Sequence, residues 1–305
     1  MSGGLPDPGT VPDRAADLTG RTADLRADPA AVNVHVAPVD GGFDPATVGL
    51  GDGGYEGPNA GDLGRLGAAV AAVEAVGGVD PEGGTGGACL HHPEPSVPGA
   101  DGPWLVVEPT AGRLSTVHAG HGELTVDLTA PPAGVDAGLR ATGDALAEVV
   151  DAVRPDHEHY PVERDTEGVF TRGMTTLSLA GVDADGDGTT VRFDVSTTPD
   201  TTADAVEGLV SDLSCVRGAR YEAVVGLARG DPPSSLLRAA EAAAGRAVGD
   251  WEYEWYGGPT AFSDLPTASK LALGTGRPGA GVFGEEAYER CRSLLRGTAA
   301  RYGGG

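Results

Sequence analysis

Apolar residues along this chain fall into two alternating patterns, short runs with strand character and longer stretches with helical period. Val32-Asn33-Val34-His35-Val36-Ala37 alternates and is rich in β-branched residues, which predicts a strand. In Asp62–Val76, Leu63, Leu66, Val70, Val73 and Val76 recur at helical spacing with Ala between them, which predicts a helix. A short strand is expected near Cys89-Leu90, and a second at Trp104-Leu105-Val106-Val107, whose unbroken apolar run suits burial on both faces. Pro109 ends that strand because it has no N–H to donate, and this leaves Glu108 at the C-terminal edge. In open α/β sheets that edge is where ligands and metals are held. Residues 1–30 carry Pro and Gly signals and predict a ragged start with one short helix at best.

The middle of the chain reads differently. Strands are expected at His121–Thr129, Met174–Val182, Thr190–Ser196 and Tyr221–Leu227, with helices at Ala137–Val153 and Ala203–Leu213. Their order is β-α-β-β-α-β, the split βαβ or ferredoxin-like unit, which looks inserted into another domain. From Asp231-Pro232-Pro233 the chain returns to the first pattern: helix at Leu236–Ala244, strand at Asp250–Tyr256, strand at Lys270–Gly274, and a closing helix at Glu285–Arg301. The expected organisation is an α/β domain from residues 1–112 and 231–305, interrupted by a ferredoxin-like (βαββαβ) domain at 113–230. The first domain is expected to hold a mostly parallel sheet.

Composition narrows the function. The 305 residues carry 45 Asp plus Glu against 21 Lys plus Arg, a net charge of -24, and Lys270 is the single lysine. Nucleic acid and anionic membranes would be repelled by such a chain. The acidity is spread evenly, which points to a surface adapted to high salt. No run approaches the roughly 20 apolar residues that span a bilayer, and the polar N-terminus has no secretory signal character, so a cytoplasmic protein is expected. Cys89, Cys215 and Cys291 are scattered and read as reduced, mostly buried thiols.

Several local clusters carry bland readings. Asp183-Ala184-Asp185-Gly186-Asp187-Gly188 starts like a calcium loop but is flanked by strands, and reads as an acidic hairpin turn. His91-His92 and Asp156-His157-Glu158-His159 read as solvated side chains in Pro-rich or charged loops. The Gly-rich stretch at 83–87 lacks the Lys-Ser/Thr of a phosphate-binding loop, and no nucleotide cofactor is expected.

Five segments, taken in order, resemble the zinc-dependent amidohydrolase and peptidase family of acetylornithine deacetylase, succinyl-diaminopimelate desuccinylase, aminoacyl-lysine/ornithine hydrolase and carboxypeptidase G. Gly57-Pro58-Asn59-Ala60-Gly61-Asp62-Leu63 is similar to the segment whose Asp bridges two zinc ions. Asp80-Pro81-Glu82 resembles the Asp-Glu-Glu segment, and Glu108-Pro109-Thr110 the Glu-Pro-Thr ligand segment. Thr260-Ala261-Phe262-Ser263-Asp264 and Gly274-Thr275-Gly276 resemble motifs of the aminoacyl-lysine and ornithine branch. The resemblance implies a phosphorylase/hydrolase-like catalytic domain with an inserted lid through which such proteins can dimerise. It also implies a zinc cofactor and an N-acyl amino acid or small peptide as ligand. Carried over residue by residue, Asp62, Glu108 and His35 are the candidate metal ligands and Glu82 the candidate general base.

The sequence departs from the family pattern at several of these places. Matching the proline of the family's His-x-Asp-x-x-Pro to Pro38 puts Asn33 where a zinc His belongs and His35 at the Asp, whereas matching His35 to the ligand His puts Ala37 at the Asp. Pro81 stands at the general-base position and Glu82 then matches the remaining metal ligand; a one-residue shift would make Glu82 the base at the expense of that ligand. No histidine follows His159, so the family's C-terminal ligand has no counterpart. Two readings follow: a divergent metallohydrolase cleaving C–N amide bonds, or a non-catalytic relative that binds an amino-acid-like ligand or a partner subunit and regulates it.

Overall fold

The computed structural model describes residues 5–36, 47–76, 87–92, 102–118, 120–129, 141, 143–149, 152, 176–185, 188–197, 202–226, 228–253, 261–265, 267–276 and 281–302. The chain divides into two compact units, Met1–Thr116 with Arg229–Glu254 and Thr260–Gly305, and Val117–Ala228 with Trp255–Pro259.

The first unit opens on helix α1 (Val11–Arg21), which buries Val11, Ala15 and Leu18 along one stripe. It is a fuller element than the Pro- and Gly-rich start of the chain suggests, because Pro12 sits in its first turn, where a missing N–H is harmless. Strand β1 (Val32–Val36) follows, then a small hairpin of β2 (Gly49–Gly51) and β3 (Gly54–Glu56). Next come α2 (Ala60–Val76), β4 (Ala88–His91), β5 (Trp104–Val107) and the two-residue strand β6 (Leu114–Ser115), after which the two-residue strand β7 (Val117–His118) opens the second unit. The central sheet has the order β4-β1-β5-β13-β6, where β13 is Lys270–Leu273. Its first four strands are parallel, and β6 adds an antiparallel edge. This is the mixed α/β architecture that the alternating pattern predicts.

Residue alternation along these strands gives the sheet two unlike faces. Val32, Val34, Leu90, Leu105, Val107, Leu271 and Leu273 lie on one, in a single apolar core with α1, α2 and two later helices. Those helices are α5 (Ser234–Ala247) and α7 (Glu285–Tyr302). Asn33, His35, Cys89, His91, Trp104 and Lys270 alternate onto the other face and are also buried. Lys270 Nζ donates to the carbonyl oxygens of Phe262 and Leu265 at 2.6 and 2.7 Å. It also sits 4.6 Å from the centre of the Phe262 ring. The ammonium therefore ties the short helix α6 (Ala261–Asp264) to the sheet. Of the strand expected over Asp250–Tyr256, Tyr253 makes an isolated bridge to Leu114, and residues from 254 lie outside the described part.

In the second unit, β8 (Gly120–Leu128), α3 (residues 143–149), β9 (Thr176–Asp185), β10 (Gly188–Thr197), α4 (Ala203–Ser211) and β11 (Val216–Val225) follow one another. The short strand β12 (Ala228–Arg229) spans the return to the first unit's residues and pairs with β7. The sheet is antiparallel, in the order β11-β8-β10-β9. Leu124, Val126, Leu128, Val191, Phe193 and Val195 bury one face with Val149 of α3 and Val206 and Val210 of α4. Glu123, Thr125, Asp127, Arg192 and Asp194 line the wetter face, as strict alternation along β8 and β10 requires. β9 and β10 pair antiparallel as far as Asp185 opposite Gly188, so Asp183 and Asp185 of the acidic segment are strand residues, and 186–187 lie outside the described residues. Among the described residues, no helix is long and apolar enough to cross a membrane.

Candidate functional site

Of the candidate residues, Glu108 lies at the C-terminal edge of the parallel strands, His35 within β1 and Asp62 in the first turn of α2. Glu108 follows directly on β5 and is buried, with its N–H on the Leu273 carbonyl at 3.2 Å. The turn after β13 packs against it: a Cβ on Gly274 would lie 2.2 Å from the Glu108 carbonyl oxygen, so only glycine fits there. Gly112 N–H and the Thr110 hydroxyl reach the Gly274 carbonyl at 2.7 and 3.0 Å, which fixes the two loops together.

His35 lies inside β1 rather than at its end, and is fully buried. Its Nδ1 donates to the His91 carbonyl at 3.2 Å, which leaves Nε2 as a bare lone pair, buried and without a hydrogen-bond partner. Burial is the main cause that pulls its pKa down to about 4, with a smaller contribution from His92 and an opposing one from the carbonyl bond. Asn33, two residues earlier on the same face, is committed elsewhere. Its amide donates to the Gly102 carbonyl at 3.2 Å and accepts from His91 Nε2 at 2.8 Å. His91 itself corrects the sequence reading of a solvated side chain. It ends β4 as the register partner of His35, has no exposed surface, and packs against Trp104 with ring centroids 4.4 Å apart and planes tilted by 40°. Burial, then Arg26 and His35, lower its pKa to about 3. The hydrogen bonding of β4 to β1 draws His91 in, a long-range effect that its Pro-rich neighbours conceal.

Asp62 lies in the first turn of α2, three residues before Arg65, so the two side chains share one helix face. Arg65 Nη2 donates to Asp62 Oδ1. The Arg65 side chain is only 6 % exposed, whereas that of Asp62 is 39 % exposed. The sequence reading passed over Arg65; its signal was a lone cation at i+3 from the candidate ligand, in a helix that apart from Asp62 and Glu74 is built of Ala, Gly, Leu and Val. Cys291 lies close enough to feel this charge, yet burial keeps its pKa up at about 11, so it remains a neutral thiol.

Glu82 falls outside the described residues. Among those described, no group of three or more His, Cys, Asp or Glu side chains is placed to hold a metal ion. A two-zinc centre needs a carboxylate free to bridge, yet Asp62 is held by a guanidinium, and Asn33 is spent on His91 and Gly102. The described donors therefore do not fit the zinc centre that the resemblance implies.

No family model matches this sequence, and no curated protein matches it in sequence. Solved structures do. A tripeptidase from Staphylococcus aureus superposes with a TM-score of 0.60 at 12 % identity, over 91 % of this chain and 82 % of its own. The aminopeptidase PepT from Bacillus cereus gives 0.58 at 10 % identity, over 96 % and 92 %. A dinuclear metal-binding peptidase of the M20 family from Bacillus subtilis gives 0.53 at 11 %, over 97 % and 92 %. The fold is the one these peptidases share. At such identities the likeness concerns the fold alone.

Proposed function

We propose that this protein is a divergent relative of the zinc-dependent amidohydrolases and peptidases that has kept their fold and become a metal-independent binding protein for an amino-acid- or peptide-like ligand. The observation that carries this reading is the ion pair between Asp62 and the buried Arg65. A cation already occupies the carboxylate that would bridge two zinc ions, and an imported metal would have to strand the guanidinium in a dry site. The absence of any histidine after His159 supports the same conclusion. On this reading the second unit, whose strand order suits a ferredoxin-like βαββαβ unit, is the lid. An edge strand of its sheet would serve a homodimer or a regulated partner subunit, and the protein works in a salt-rich cytoplasm.

A second reading is a residual hydrolase with a single zinc on His35, Asp62 and Glu108 and with Glu82 as base. The bare, buried Nε2 of His35 favours it, since a carbonyl-anchored Nδ1 is how ligating histidines are oriented. Metal analysis after purification in high salt, with assays on N-acetylornithine, succinyl-diaminopimelate and simple dipeptides, separates the two. The binding-protein reading expects zinc well below one per chain and no turnover. Stoichiometric zinc that disappears in Asp62→Ala, together with turnover, would overturn it.

A further inference from the structure

Arg65 has more hydrogen-bonding capacity than Asp62 uses. Its Nη1 is buried and has no hydrogen-bond partner, a costly condition for a guanidinium. Two glycines surround that nitrogen. A Cβ at Gly61, in the first turn of α2, would come 3.3 Å from Nη1, and a Cβ at Gly276 would come 3.4 Å from it. Side chains at these two positions would crowd the space beside the free donor. Gly276 adopts φ +84°, which glycine tolerates best, and a Cβ there would first meet the Phe283 ring at 2.9 Å. Nη1 also lies beside the N-terminal turn of a 17-residue helix, where backbone dipoles favour negative charge. The adjacent Cys291 is a neutral thiol and does not neutralise it.

We infer that Arg65 Nη1 and the first turn of α2 form a carboxylate-binding subsite that operates without metal. A carboxylate is favoured over a phosphate because Asp62 already balances the guanidinium's single charge. A second anion therefore gains only the Nη1 hydrogen bond and the helix dipole, and a doubly charged one is repelled more strongly by Asp62. The inference rests on the metal-independent reading above and names what that site recognises.

Thermal-shift titration of the whole chain in EDTA, at constant ionic strength and chloride, provides the test. N-acetylglycine is the carboxylate probe, N-acetylglycinamide its neutral counterpart, and inorganic phosphate the competing anion. The expected result is a saturable rise in midpoint with N-acetylglycine alone, with apparent affinity at least tenfold weaker in Arg65→Met. Gly61→Ala serves as the second variant, because it keeps the charge, crowds Nη1 and improves the helix propensity of α2. It too should weaken N-acetylglycine at least tenfold while remaining folded. No saturable shift, an equal response to phosphate or to N-acetylglycinamide, or wild-type affinity in Gly61→Ala would each overturn the subsite. Zinc content and turnover report on the metal-independent reading separately, so a metal-free, inactive chain that ignores N-acetylglycine fails only the inference.

Discussion

At the scale of single residues, the buried imidazoles have a measurable consequence. Burial holds the folded-state pKa of His91 down at about 3 and that of His35 at about 4, both below the ordinary histidine value of 6.5. Between these limits the unfolded chain binds more protons than the folded one, so stability rises with pH across the window. The contribution is complete above pH 6.5 and is lost as pH falls toward about 3. His91→Gln keeps a donor for Asn33 and removes the titration. Proton uptake on unfolding near pH 5 should fall by about one in this variant, which flattens the pH slope by about 1.4 kcal/mol per unit. Equilibrium denaturation of both proteins across that range checks it, and identical slopes would show that His91 does not titrate on unfolding. His91 also marks a limit of sequence reading: nothing local distinguishes a strand-end histidine buried by its neighbour strand from one in a wet loop. Arg65 was hidden for another reason, because a cation in an apolar helix is informative only once its burial is known.

At the scale of elements, α2 shows why helix propensity is sometimes given up. A Cβ at Gly64 would fall 2.1 Å from Cδ1 of the buried Phe283 ring, which belongs to β14 (Val282–Gly284). Gly64→Ala should therefore destabilise the protein by about 1–3 kcal/mol through overpacking, despite the better helix former. Gly20 in α1 has nothing within 4 Å of its would-be Cβ, and Gly20→Ala should stabilise by about 0.4–1 kcal/mol. Chemical denaturation of the pair decides, and a stabilised Gly64→Ala would mean that Phe283 yields. Elements that carry their own signal were legible in the sequence. The helix expected from Asp62 runs Ala60–Val76, and the strand expected at Trp104 ends where Pro109 requires. The three-residue strands β2, β3 and β14 were not legible, because Gly49-Leu50-Gly51 and Gly54-Tyr55-Glu56 are too short and too rich in glycine to show a period. They exist through pairing with one another, from β3 to β14 across 228 positions of chain between Tyr55 and Phe283.

At the scale of the whole molecule, the net charge of -24 sets the conditions in which the chain is stable. Self-repulsion opposes the compact state, and salt shortens the screening length from about 10 Å at 0.1 M to about 3 Å at 1 M. The unfolding midpoint should therefore climb steadily between about 0.1 M and about 1 M KCl. A flat or falling midpoint would remove the salt-adapted reading. Lys270 adds a property of a different kind. The chain's one ε-amine is buried in the first unit and engaged by the Phe262 and Leu265 carbonyls. Amine-directed reagents such as acylating dyes and bifunctional cross-linkers thus find no ready side-chain target on the native chain. Slow acylation at Lys270 would instead time the opening of the sheet, a built-in unfolding clock that needs no engineered label.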